Sequence, residues 1–206
     1  ILYYLQIKKK NSYYMIKLAV ISGTDRPGSN ALKVAAHVCN RYRAYNADAY
    51  VVDLCNFPLA DAAGGHYSAK DVPSIKQFNE NILSADGLVF VVPEYNGSFP
   101  GILKLFIDYL PFPRALSKVP VCFIGESDGK FGALRSVEQL QHTCGYRYSF
   151  NFPERVFINK VSKTFDKDEG HQDDFTNKLI DSQVKNFIRF VDVLNKADLT
   201  KKKVPE

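Results

Sequence analysis

The chain has 206 residues, 46% of them hydrophobic, and a formal net charge of +5, enough to bury one good core, with a single domain as the default. Lysines at residues 8–10 and 201–203, with Glu206, account for that charge; the body is near neutral, which argues against nucleic acid or a membrane surface as partner. No run approaches the ~18 apolar residues of a membrane span, and Cys39, Cys55, Cys122 and Cys144, without C-x-x-C spacing, imply a reducing, cytoplasmic setting.

Residues 1–14 lack an initiator Met and hold four tyrosines and three lysines before the only methionine, Met15. The segment lacks the long apolar stretch and small-residue cleavage site of a signal peptide. It is expected to be a disordered or non-native leader, with a single domain over 15–196 and a frayed basic tail over 197–206. Residues 18–22 form the first strand candidate, followed by a polar loop and a helix with Ala31, Val34, Ala35, Val38 and Tyr42 on one stripe. Residues 49–54 read as a second strand. A loop rich in Ala, Gly and Pro is expected over 56–73, long enough to be functional. A helix follows near 74–84.

Residues 88–92 are five consecutive apolar residues, suited to a strand buried on both faces. The strand breaks at Pro93, and after Pro100 a helix places Ile102, Leu105, Phe106 and Tyr109 on one face. A fourth strand is expected at 119–125 and a helix near 133–144. A fifth strand falls within 146–161, and the last helix uses Ile180, Val184, Phe187, Val191 and Leu194. Strand and helix alternate five times, which predicts a three-layer α/β sandwich around a parallel sheet. Five strands suit the flavodoxin-like order 2-1-3-4-5, whose switch point between the first and third strands is where such sheets place ligands.

Three loops would meet there. The first spaces Gly23 and Gly28 like a P-loop, but Ser29 and Asn30 stand where a Walker motif has Lys and Ser/Thr. What remains is Thr24, Ser29, Asn30, backbone N–H groups at a helix N-terminus, and the Arg26 guanidinium. That set suits a single terminal phosphate; an ordinary helix N-cap at Ser29 or Asn30 accounts for part of it equally well. The second loop offers Pro93, Glu94, Tyr95, Asn96 and, at Gly97, bare backbone that a flat ring could approach. The third offers Ser127 and Gly129. A flat heteroaromatic with a phosphate tail fits, and FMN is the ligand that recurs in this topology. His37, His66, His142 and His171 match no metal-ligand spacing, and Asn96-Gly97-Ser98, although a glycosylation sequon, lacks a secretory context.

Two stretches resemble the NADPH-dependent FMN reductase family, which includes flavin, quinone, azo-dye and chromate reductases. Gly23-Thr24-x-Arg26-x-x-Ser29-Asn30 resembles its phosphate loop, one residue shorter between Ser and Asn. Pro93-Glu94-Tyr95-Asn96-Gly97-Ser98-x-Pro100-Gly101-x-Leu103-Lys104 resembles its P-E-Y-N-x-S-x-P-G-x-L-K signature, and Ser127-x-Gly129 with Gly132 and Arg135 matches the third loop more weakly. The resemblance covers roughly residues 16–193. It implies phosphate contacts for Thr24, Arg26, Ser29 and Asn30, ring contacts for Pro93, Glu94, Tyr95, Asn96 and Gly97, and closure of the pocket by Ser127 and Gly129. Three departures stand out: Leu105 for a common Asn, Tyr109 for a Trp, and Gly132-Ala133-Leu134 where Gly-Gly usually precedes the Arg.

The resemblance further implies FMN as cofactor, NADPH or NADH as donor, and ping-pong hydride transfer through the flavin N5. The acceptor would be a small molecule (flavin, quinone, azo compound or metal oxyanion), and the assembly a homodimer or homotetramer. Because the cofactor supplies the chemistry, no catalytic side chain is expected; Glu94 is expected to act through its backbone. Two rival readings are a flavodoxin-type electron carrier, disfavoured by the neutral body, and a phosphate-ligand module without flavin.

Overall fold

The computed structural model describes residues 14–63 and 71–200. Nearly all of the expected leader, the lysine-rich end of the tail and the centre of the loop expected over 56–73 lie outside the described residues. Tyr14, at the leader's end, donates its hydroxyl to Asp86 at 2.6 Å.

The elements run β1 (Lys17–Ser22), α1 (Asn30–Ala44), β2 (Asp48–Asp53), α2 (Leu59–Ala62), α3 (Pro73–Leu83), β3 (Gly87–Pro93), α4 (Gly101–Tyr109), β4 (Pro120–Ser127), α5 (Leu134–Tyr146), β5 (Phe150–Asn159), α6 (Val161–Thr164), β6 (Phe165–Asp166), β7 (Gly170–His171) and α7 (Asp174–Lys196). The first five strands form one sheet in the order β2-β1-β3-β4-β5, parallel at every pairing. This is the expected topology, and the strands at its centre explain why. All of β3 is buried, as a parallel strand covered on both faces must be. The sheet edges read differently: β5 carries Pro153, which a strand tolerates only where a ladder N–H is not needed.

Side chains alternate between two cores. Leu88, Phe90 and Val92 face α3, α4 and α5, where Phe90 stacks on Phe123 at 6.1 Å between ring centres. Val89 and Val91 face α1 and α7, joining Val34, Val38, Tyr42, Val184 and Phe187. The stripe expected on α1 is wholly buried, and on α7 only Leu194 of the expected stripe is not. The small β6–β7 hairpin and the single turn of α6 are too short to show a period and were not foreseen. No described helix is long and apolar enough to cross a membrane.

Two departures from the family pattern are absorbed by packing. Leu105 is half-buried against the α4 core, and the Tyr109 hydroxyl donates to the Ala62 carbonyl at 2.9 Å. At the third, Gly132 and Ala133 both take left-handed conformations, with φ of 55° and 67°.

Candidate active site

At the carboxyl ends of β1, β3 and β4 the chain leaves each strand into a loop, and the three loops surround one cleft of about 520 Å³, within the range of cofactor sites. The first loop is pinned to the second at its root. The Gly23 N–H donates to the Val91 carbonyl at 2.9 Å, an approach so close that a Cβ on Gly23 would lie 2.7 Å from that oxygen. Ser29 then caps α1, its hydroxyl accepting from the Leu32 N–H at 3.1 Å, and the remaining N–H groups of the first turn have no intrahelical partners. The Cys55 thiol donates to the Asp25 carbonyl at 2.9 Å and steadies the loop from the β2 side.

The second loop is more ordered than its polar composition suggested. Tyr95 and Ser98 exchange backbone hydrogen bonds of 2.8 and 3.1 Å, and between them Asn96 and Gly97 have φ of 53° and 79°. Both central residues at positive φ make this a two-residue hairpin of the type Asn-Gly favours. From α5, Gln139 accepts from the Ser98 hydroxyl at 2.5 Å and donates to the Gly97 carbonyl at 3.2 Å. One turn earlier Arg135 pairs with Glu94 at 3.1 Å. The other carboxylate oxygen of Glu94 is buried without a hydrogen bond. In the third loop the Ser127 hydroxyl donates to the Gly129 carbonyl at 3.4 Å. Asp128 accepts the Ser162 N–H at 2.9 Å, and its bonds to Ser162 hold its carboxyl below the usual value.

Of the expected site residues, Arg26, Ser29, Asn30, Pro93, Glu94, Tyr95, Asn96, Gly97, Ser127 and Gly129 all line the cleft. Thr24 does not. It is fully buried beneath the first loop, its hydroxyl 3.0 Å from that of Tyr95 and accepting the Arg26 N–H at 3.3 Å. The guanidinium of Arg26 lies over the Tyr95 ring, 5.5 Å from its centre. Glu126 was missed. It lines the cleft yet is 4% exposed, and burial, with Asp128 nearby, pushes its carboxyl up to about 7. A Glu separated by a single glycine from four consecutive apolar residues, Val121 to Ile124, was the available signal. Among the described residues no group of His, Cys, Asp and Glu side chains could hold a metal ion.

The sequence profile of the NADPH-dependent FMN reductases matches residues 16–163. The chain belongs to the NADPH-dependent FMN reductase family. Family membership makes it an FMN-dependent oxidoreductase that draws on NAD(P)H. It is 32% identical over 179 residues to an NAD(P)H-dependent FMN reductase of Pseudomonas aeruginosa, covering 82% of this chain and 91% of that one. It is 30% identical over 171 residues to an FMN-dependent NADPH-azoreductase of Staphylococcus haemolyticus, covering 82% and 87%. Among solved structures it resembles FerB, a flavoenzyme NAD(P)H:(acceptor) oxidoreductase of Paracoccus denitrificans, with a TM-score of 0.74 and 22% identity over 87% of this chain and 98% of that one; at that identity the likeness speaks for the fold alone. Within this FMN reductase both signature stretches, residues 23–30 and 93–104, fall inside the matched region.

Proposed function

We propose that the cleft holds FMN with its phosphate on the first loop and its ring against the second and third, and that the enzyme passes hydride from NAD(P)H to small oxidised acceptors such as azo compounds and quinones. The observation that carries this reading is convergence: ten residues expected from scattered stretches line one cleft at the sheet's switch point. The chemistry of the donors fits the cofactor. A helix N-terminus and a guanidinium suit a phosphate, and a hairpin tip with one bare glycine leaves backbone open to a flat ring.

Bound FMN would supply the hydride acceptor and donor, and the residues of the chain do the rest. Arg26 opposes the phosphate charge, with Tyr95 and Thr24 holding the base of its loop. The hairpin at Asn96 and Gly97 is fixed from α5 by Gln139, so its backbone groups need no reorganisation during reaction. Glu94 pairs one carboxylate oxygen with Arg135, which leaves its backbone and its second, unpartnered oxygen as the parts that can meet a ligand. One cleft serving donor and acceptor in turn implies ping-pong kinetics. Steady-state NADPH oxidation with a quinone or an azo dye, varied against donor, tests this: parallel double-reciprocal lines are expected. An FMN-loaded protein that does not oxidise NADPH would be an electron carrier instead.

A further inference from the structure

Glu126 is not accounted for by the contacts proposed so far. It stands at the end of β4 on the same face as Cys122 and Ile124, toward α1 and α7. Its neighbours across the sheet are Pro93 and Ile158, both apolar. The charges that face it are Arg26 from the first loop and Asp128 from the third, with Lys163 of α6 beside Asp128; Glu94, at the end of β3, is turned to Arg135. Among the described residues none donates a hydrogen bond to its carboxyl. Only 4% of the residue stays exposed, and it lines the cleft that a cofactor would fill.

We propose that Glu126 is a hydrogen-bonding contact to bound flavin mononucleotide and takes up a proton as the cofactor enters, so that FMN affinity falls as pH rises above neutrality. This rests on the flavin reading above. In the empty cleft Arg26 favours the ionised carboxylate. A phosphate on the first loop engages that guanidinium and brings its own negative charge, so the support is withdrawn and repulsion replaces it. A neutral carboxyl can both donate and accept, and the flavin's polyol hydroxyls and ring edge offer partners for either role. With burial already holding the empty-site carboxyl at about 7, binding raises it further, and the complex carries one more proton than the free protein above that pH.

Flavin fluorescence titrations with FMN across neutral and mildly alkaline pH, on the wild type and on Glu126→Gln, read the effect directly. The wild-type dissociation constant should rise about tenfold per pH unit above neutrality, as linkage to one proton requires. Glu126→Gln, which keeps a donor and an acceptor, should show a flat profile and bind more tightly than wild type at the alkaline end. The FMN phosphate, whose second ionisation lies near ~6, affects both proteins alike. Calorimetry of wild type in two buffers of different protonation enthalpy needs no variant and should report proton uptake. Parallel profiles for the two proteins, or a binding heat independent of buffer, would overturn the proposal while leaving FMN binding intact. A wild type that binds no FMN would overturn it together with the flavin reading.

Discussion

Arg26 lines the cleft with its guanidinium 5.5 Å from the centre of the Tyr95 ring, and in the proposed binding mode it meets the phosphate. A charge-assisted hydrogen bond contributes about 1.5–3 kcal/mol. Arg26→Ala should therefore weaken FMN roughly ten- to hundredfold, measured by fluorescence titration, and leave the unfolding midpoint close to wild type. Unchanged affinity would make Arg26 a solvated loop residue. Thr24 works differently. Fully buried and 3.0 Å from the Tyr95 hydroxyl, it positions the two loops against each other rather than facing the cleft. Sequence spacing could mark Thr24 as part of the motif but could not tell an inward hydroxyl from an outward one.

The cleft depends on how closely β1 and β3 can part. Gly23 sits where a side chain would press on the Val91 carbonyl at 2.7 Å, and backbone at that spot cannot yield cheaply. Gly23→Ala should cost about 1–3 kcal/mol, as overpacking does, seen as a lower urea midpoint, and should also weaken FMN by shifting the first loop. An unaltered midpoint would mean that the two loop roots tolerate separation. Much at this scale was legible in the residues. The all-apolar run at 88–92, the prolines at 93 and 100 and the stripes of α1 and α7 carry their periods in plain view. The hairpin at Asn96 and Gly97 was signalled by its Asn-Gly pair but lacked flanking alternation, so it read only as a polar loop. Glu126 escaped for the opposite reason: next to Ser127 and Asp128 it looked like the start of a solvated loop, whereas β4 runs on through it, in register between Pro93 of β3 and Ile158 of β5, and leaves it buried.

Across the whole molecule, the burial of Glu126 sets a stability cost as well as a binding preference. Its carboxyl is raised from an ordinary 4.5 to about 7 in the folded chain, so between those values the native state holds more protons than the unfolded state and stability falls as pH rises. The cost is complete above about pH 7 and is of the order of 3 kcal/mol. Glu126→Gln should remove it. The cofactor-free variant should unfold at higher urea than wild type at pH 8, and the two should converge near pH 4–5; an equal gap at both values would contradict the assignment. Sites that keep strained or unpaired groups for a ligand commonly lower the stability of the empty protein. The proposed activity requires a flat ring held by its phosphate where β1 and β3 diverge. Comparing FMN with riboflavin by fluorescence titration tests that most directly. One FMN per chain, with riboflavin at least about tenfold weaker for want of the phosphate contacts, is the predicted result; equal affinities, or no saturable FMN binding at micromolar concentration, would contradict it.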